Sequence, residues 1–266
     1  MKKILALVLA LCMVFALAAC GEAASDPTDA PESEAPEGDG TFTTIVEGKL
    51  TMSTNAQFPP YEMTTDDGGF EGIDVEIATA IAEKLGLELD ILDMDFDSAL
   101  LAVQQGKSDI VMAGVTVNED RQLVMDFTDS YATGVQVIIV KEGSDVTIDN
   151  MGEGLIGTQR GTTGNIYCTD DYGEEHVMAY DDGFTAVQAL MNGQVDCVVI
   201  DNAPAQEFVK NNAGLTILDT EYANEDYAIG LNKGNTALLD AINSALAELI
   251  ADGTVQSIID KYIPAE

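Results

Sequence analysis

Two stretches of the chain carry one pattern. Ala99-x3-Val103-x2-Gly106-Lys-x-Asp109-Ile-Val recurs as Ala186-x3-Leu190-x2-Gly193-Gln-x-Asp196-Cys-Val. Each copy reads as the end of an apolar-faced helix, a Gly stop and a buried strand. A chain that repeats this unit is constrained to build two lobes of one α/β architecture, each burying its own sheet. In this register Gly114 corresponds to Asp201, so both strands deliver a polar group at their carboxyl end. Ligands of open α/β sheets sit at that end. Asp201 can also cap the helix that Asn202-Ala-Pro-Ala-Gln begins, and one side chain can serve both roles.

The first copy runs into Asp109-Ile-Val-Met-Ala-Gly-Val-Thr-Val-Asn-Glu-Asp-Arg121. Ile110 to Met112 reads as a buried strand that stops at Ala113-Gly114-Val115-Thr116, where small residues allow close backbone approach. Asn118 is a helix N-cap with Glu119 and Asp120 in the first turn, which sets Arg121 on that turn, facing Thr116. A guanidinium fork, a hydroxyl and free strand-end backbone groups suit bidentate capture of a carboxylate. A strand-turn-helix with a surface Arg is the plainer alternative. Arginine is scarce here, however: Arg121 and Arg160 are the only two.

The amino terminus reads Met1-Lys2-Lys3, then the apolar stretch Ile4 to Ala19, then Leu17-Ala18-Ala19-Cys20-Gly21 at the junction. A basic start, an apolar run of marginal length for spanning a bilayer and small residues before a cut site form an export signal over residues 1–19, with an uncleaved membrane anchor as the alternative. Cys directly after Leu-Ala-Ala resembles the lipobox of bacterial lipoproteins, which implies a lipid on Cys20. Residues 20–44 are Ala, Pro, Ser, Thr, Gly and acid, with little to bury. They read as a disordered acidic tether whose root-mean-square span is roughly 25–30 Å. The folded body is therefore expected outside the cytoplasm, held near a membrane.

With 11 basic against 47 acidic side chains the chain carries a formal net charge of −36. Such a charge opposes polyanionic partners, so nucleic acid is excluded. Of four Cys, Cys12 leaves with the signal and Cys20 carries lipid. Cys168 and Cys197 remain, read as two free thiols, and their spacing matches no zinc pattern. Asp93-Met-Asp-Phe-Asp97 fails as a calcium loop, because Ser98 stands at the sixth position and Gln104 at the twelfth. No metal and no cofactor are expected.

Taken in order, the body begins with a strand over Val46 to Thr54. The Pro59-Pro60 loop then presents Phe58 and Tyr61, as a wall for a ligand or a lid on the core. Gly69 to Gly72 makes a turn. Asp74 caps a helix with Val75, Ala78, Ile81, Ala82 and Leu85 on its inner face, ended by Gly86, and Leu87 to Leu92 is the next strand. Strand, helix, strand in succession indicates a parallel sheet. Val135 to Val140 is a long strand leaving the first lobe. Leu155 to Gly164 reads as strand, Gly turn and helix start, with Thr162 and Thr163 at an N-terminus that either binds an anion or is simply capped. Asp226 to Leu231 is a return strand. Helices follow over Thr236 to Ala251, with Leu239, Ile242, Leu246 and Leu249 inward, and over Thr254 to Tyr262.

These residues resemble the amino-acid-binding proteins of bacterial ABC importers, grouped as solute-binding proteins family 3. The resemblance runs from about Ile45 to Tyr262. It covers Phe58-Pro-Pro-Tyr, Gly72-Ile-Asp-Val-Glu-Ile-Ala, Phe96, Gly106-Lys-Ser-Asp, Ala113-Gly-Val-Thr-Val-Asn-Glu-Asp-Arg, Asp126-Phe-Thr-Asp-Ser-Tyr, Gly161-Thr-Thr-Gly, Val195-Asp-x4-Asp201 and Asp252-Gly-Thr. It implies a two-lobed, periplasmic-binding-protein-like (type II) α/β fold, with two parallel-type lobes joined by two crossover strands. Lobe 1 would comprise residues 45–134 and 227–266, and lobe 2 residues 135–226. It also implies an amino-acid ligand, a membrane permease as partner, a monomer, and no catalysis.

Carried over residue by residue, Arg121 and Thr116 would hold the α-carboxylate, helped by Thr163 beside Thr162. Asp201 and the Gly114 carbonyl, next to Ala113, would take the α-ammonium. Phe58 and Phe96 would sandwich the side chain. Basic-amino-acid binders of the family tend to have an acid where this chain has Asn55, and glutamine binders a Lys and a His where it has Gln159 and Ile200. A pocket of Asn55, Phe58, Phe96, Gln159 and Ile200 is uncharged, so a neutral amino acid is expected. Two rivals remain. Dehydratases and lytic transglycosylases resemble this architecture, but the single His, His176, reads as a surface-loop residue and is a poor general base. A ligand sensor for signalling is the other; with no transmembrane helix beyond the leader, it would act through a partner.

Overall fold

The computed structural model describes residues 41–264. The export signal, the Cys20 lipobox and all but the end of the tether lie outside the described residues. The elements in chain order are β1 (Lys49–Thr54), β2 (Gln57–Phe58), β3 (Glu62–Thr64), β4 (Phe70–Glu71), α1 (Ile73–Lys84), β5 (Glu88–Asp93), α2 (Phe96–Gln104), β6 (Ile110–Val111), α3 (Glu119–Val124) and β7 (Met125–Lys141). There follow β8 (Ile156–Gln159), α4 (Thr163–Tyr172), β9 (Val177–Tyr180), α5 (Gly183–Met191), β10 (Cys197–Asp201), α6 (Asn202–Asn211), β11 (Leu215–Ile217), β12 (Ala223–Asn232), α7 (Thr236–Ala251) and α8 (Thr254–Tyr262).

The strands form one connected sheet in the order β5-β1-β6-β12-β7-β10-β8-β9, with β11 against β7. At one end β5, β1 and β6 run parallel, and at the other so do β10, β8 and β9. Between them β7 and β12 are antiparallel to each other over most of their length. Two parallel α/β half-sheets are thus bridged by two long strands shared by both. A small sheet of β2, β3 and β4 forms the loop region over β1.

Each half-sheet is covered on both faces, which is why its strands read as continuous apolar runs. Alternate residues of a strand point to opposite faces. In the first half Leu50, Met52, Ile110 and Met112 pack with α1, α7 and α8, while Val111 and Ala113 pack with Ala99 and Val103 of α2. In the second half Val137 and Ile139 meet α5 and α6, while Ile138 and Val140 meet α4. Cys168 and Cys197 lie together in that last cluster, both buried and both free thiols. Burial pushes each thiol up to about 12, so neither is a reactive thiolate at neutral pH.

Several expected boundaries move. The first strand begins at Lys49 rather than Val46, because Glu47-Gly48 forms a turn with Gly48 at φ 77. Within the expected Gly69–Gly72 turn, Phe70 and Glu71 pair with β3. The crossing strands are longer than their apolar cores suggested, since polar residues at their ends also pair. Asp74 does not cap α1: Gly72 occupies the N-cap position, and Asp74 lies buried in the first turn, where its Oδ2 accepts the Gly114 N–H at 2.9 Å. In the first turn of α7 the buried leucine is Leu238, with Ile242, Leu246 and Leu249 buried further along as expected, while Leu239 is only partly covered.

Candidate functional site

The capping residues place the site. Asn118 Oδ1 accepts the backbone N–H of Arg121 at 2.8 Å and so fixes the first turn of α3. The guanidinium then folds back, Nη1 donating to the Thr116 carbonyl at 2.8 Å and Nη2 to the Gly161 carbonyl at 3.2 Å. It lies 5.3 Å from the Phe96 ring centroid, an arrangement that favours the cation over the ring face. Arg121 is 6 % exposed, and this burial lowers its pKa from the usual guanidinium value. Among the described residues the buried guanidinium makes no ion pair, although the Glu225 carboxylate opposes the effect of burial on it.

Across from it, Thr162 caps α4 and puts Thr163 at the helix start, its hydroxyl 3.5 Å from that of Thr116. The Thr116 hydroxyl and Gln136 Nε2 both donate to Glu225 Oε2, at 3.1 and 2.9 Å. Burial and the Glu225 carboxylate also raise the Tyr167 phenol.

At the end of β10, Asp201 caps α6 by accepting the Ala203 N–H at 3.2 Å, and its other oxygen accepts the Tyr227 hydroxyl. Burial pushes this carboxyl up to about 7, against the opposing effect of those hydrogen bonds. Gly114 sits opposite with φ 54, where an added Cβ would stand 2.9 Å from the Phe58 ring. The ring of Phe58 in turn stacks on Tyr61 with centroids 5.7 Å apart.

One cavity collects these groups. Its walls include all twelve residues singled out from the sequence: Asn55, Phe58, Phe96, Ala113, Gly114, Thr116, Arg121, Gln159, Thr162, Thr163, Ile200 and Asp201. They come from both half-sheets. The halves touch across the cavity, with Gln159 Nε2 donating to Asn55 Oδ1 at 2.9 Å. The cleft is therefore closed in this structure.

Three wall residues escaped the sequence reading: Glu62, Gln136 and Tyr227. Gln136 and Tyr227 lie within the crossing strands, where alternation tells that one face is buried but not that the face meets a cavity. Glu62 follows the Pro-Pro loop, and the sequence reading gave it no role. The only signal that could have found it was a lone acid in an otherwise apolar-aromatic segment. His176 is not among the wall residues; its ring meets the Gly154 carbonyl at 3.0 Å. No group of acids, Cys and His among the described residues could hold a metal ion, and no described helix is long and apolar enough to cross a membrane.

A donor pole at Arg121 and an acceptor pole at Asp201 line one cavity, an arrangement that can hold a zwitterion. Known proteins resemble this chain in sequence and fold. The chain is 30% identical over 223 residues to the L-cystine-binding protein TcyJ of Escherichia coli strain K12, covering 82% of this chain and 84% of that one. It is 30% identical over 229 residues to the ABC transporter arginine-binding protein 1 of the same strain, covering 84% and 94%. Among solved structures, an ancestral arginine-binding protein bound to glutamine superposes with a TM-score of 0.78 at 37% identity, covering 83% of this chain and all of that one. The family model for bacterial extracellular solute-binding proteins, family 3, matches residues 50–265. On that match, and with the two-lobed type II fold in place, the chain belongs to this family of solute-binding proteins.

Proposed function

We propose that the protein is the substrate-binding lipoprotein of an amino-acid ABC importer, anchored outside the cytoplasm through a lipid on Cys20 after removal of residues 1–19. It captures one free α-amino acid between its lobes and hands it to a membrane permease. The single observation that carries this reading is the opposition of Arg121 and Asp201 in one cavity walled by both half-sheets.

The α-carboxylate would take the free edge of the Arg121 guanidinium with the hydroxyls of Thr116 and Thr163. The α-ammonium would take Asp201 and the Gly114 carbonyl, with Phe58 and Phe96 flanking the side chain. Lobe 1, residues 45–134 and 227–266, and lobe 2, residues 135–226, divide within β7 and β12. Those two strands would then act as the hinge. A complete site exists only with the lobes together, so ligand binding and closure are one equilibrium.

The five residues Asn55, Phe58, Phe96, Gln159 and Ile200 on their own favour a neutral side chain. Relatives are named for binding cystine, arginine, histidine and glutamine, so kinship supports the amino-acid class without choosing among its members. The test is calorimetric titration of the protein from Thr41 onward, unfolded and refolded to strip carried-over ligand, against the twenty amino acids and cystine. One-to-one binding of one amino acid, recovered unchanged, is the expected result. Silence across the panel removes the reading, and chemical turnover of the ligand replaces it with an enzyme.

A further inference from the structure

The donor pole of the cavity is not a lone cation. Thr116 joins two opposite charges: its carbonyl accepts Arg121 Nη1 at 2.8 Å, and its hydroxyl donates to Glu225 Oε2 at 3.1 Å. Glu225 comes from the crossing strand β12, is 6 % exposed and is not among the wall residues. Gln136 Nε2 donates to the same oxygen at 2.9 Å, and the Tyr167 phenol of α4 also hydrogen-bonds this carboxylate. A hydroxyl, an amide N–H and a phenol converging on one acid are the surroundings of an ionised carboxylate, which can only accept. Of the charges that act on the Arg121 guanidinium, Glu225 is the largest.

A hydroxyl carries one proton. Thr116 gives its own to Glu225, so toward the cavity its oxygen offers lone pairs alone. An α-carboxylate arriving at Arg121 must therefore draw the Thr116 proton away from Glu225 or forgo it. It also enters close to a buried like charge, and two carboxylates set against one guanidinium repel strongly where water is excluded. At the other pole the sign reverses. Glu225 acts on Asp201 too as a negative charge, and negative charge at that end favours an ammonium.

We propose that Glu225 is a positioning residue for the carboxylate pole: it holds the Thr116 hydroxyl and balances the Arg121 charge, so that a ligand carboxylate binds in competition with it. This rests on the amino-acid-binding reading above. The resident acid limits how tightly the closed site holds an α-carboxylate, and an amide of the same shape in its place lifts that limit.

The experiment is calorimetry on stripped wild-type, Glu225→Gln and Tyr167→Phe proteins. Each is titrated with the twenty amino acids and cystine, and with the α-carboxamide of every amino acid that binds. Glu225→Gln is expected to bind the free amino acid at least fivefold more tightly than wild type, while the α-carboxamide, which keeps the ammonium and lacks the carboxylate charge, gains nothing. Tyr167→Phe takes a donor from Glu225 without altering the cavity wall, and makes that acid lean harder on Thr116 and Arg121. It is expected to weaken the free amino acid threefold or more and to leave the α-carboxamide within twofold. A carboxylate that merely braces the strands predicts losses for both ligand forms in both variants. A gain below fivefold in Glu225→Gln, a loss, or a gain shared by the α-carboxamide overturns the proposal and leaves the amino-acid-binding reading standing. Should Glu225→Gln not fold, Tyr167→Phe decides: a change of less than threefold for the free amino acid overturns the proposal. Silence of the wild type toward every amino acid removes both readings.

Discussion

The two strand ends that meet at the cleft, β6 and β10, are built alike and finish differently. Each follows a helix stopped by a Gly of positive φ, Gly106 at 65° and Gly193 at 73°. Each is entered by an Asp that holds the backbone N–H of the neighbouring strand at 2.8 Å: Asp109 takes Thr51, and Asp196 takes Leu155. Beyond that the copies part. β6 runs out into bare backbone at Gly114, whereas β10 ends in the carboxylate of Asp201. The repeated residues carry a strand to the cleft, and the unrepeated residues after them supply different groups, bare backbone at one end and a side-chain carboxylate at the other. Scaffold and site can therefore be perturbed separately.

The largest effect should come from outside the pair, at the cation both ends are set against. Arg121→Ala removes the fork from a site that is 6 % exposed and should weaken amino-acid binding by roughly 3–5 kcal/mol, two to four orders of magnitude in Kd. Calorimetry checks it, and near-wild-type affinity would break the clamp. At the second end, Asp201→Asn should lose about 2–4 kcal/mol of affinity, because a buried ammonium is left without its counter-ion. The same substitution should act oppositely on the empty protein. The Asp201 carboxyl sits near 7 in the folded chain, above its ordinary value of 3.8. The folded state thus holds a proton that the unfolded state has lost. Stability from this group is fully present below about pH 4 and is lost as pH rises through 7. Asp201→Asn should therefore raise the unfolding midpoint of ligand-free protein at pH 8, by roughly 1–3 kcal/mol in denaturant titration, and do little at pH 4.

At the bare-backbone end, Gly114→Ala meets both a positive φ and the Phe58 ring. It should cost about 1–2 kcal/mol of stability and weaken binding about tenfold, since Phe58 must move. Affinity itself should rise with pH up to about 7 and then level, as Asp201 loses the proton that competes with the ligand ammonium. A pH-independent Kd between 5 and 8 would remove Asp201 from the ammonium pole. The smallest effects sharpen the likeness of the two copies. Gly106→Ala and Gly193→Ala should each cost about 1 kcal/mol, from forcing an alanine into the left-handed region. Neither should change affinity. Unequal costs would show that the two helix stops are not equivalent.

Much of this was legible because it is written in local patterns. The Gly stops, the capping of α3 by Asn118 and the runs Ile110–Met112 and Cys197–Ile200 are decided by propensity and periodicity within a few residues. So is the return of Arg121 toward Thr116, which follows from its place one turn after the cap. Asp74 shows where local reading fails. Its position suits a helix cap, and its carboxylate is instead spent forty residues away on the Gly114 N–H. Nothing within a turn of Asp74 reports that choice.

By itself the sequence determined two α/β lobes of one design and the place of a cation, Arg121, at the end of the first. It also determined an acid at the end of the second, because repeats, caps and strand ends are consequences of neighbouring residues. Only the tertiary structure decided what shares the cavity with them. It brought Gln159 against Asn55, set Gln136 and Tyr227 of the crossing strands behind the poles, and turned Glu62 inward beside Asp74. The reason is physical: whether an acid is solvated, paired or left without a partner depends on which distant segments exclude water from it.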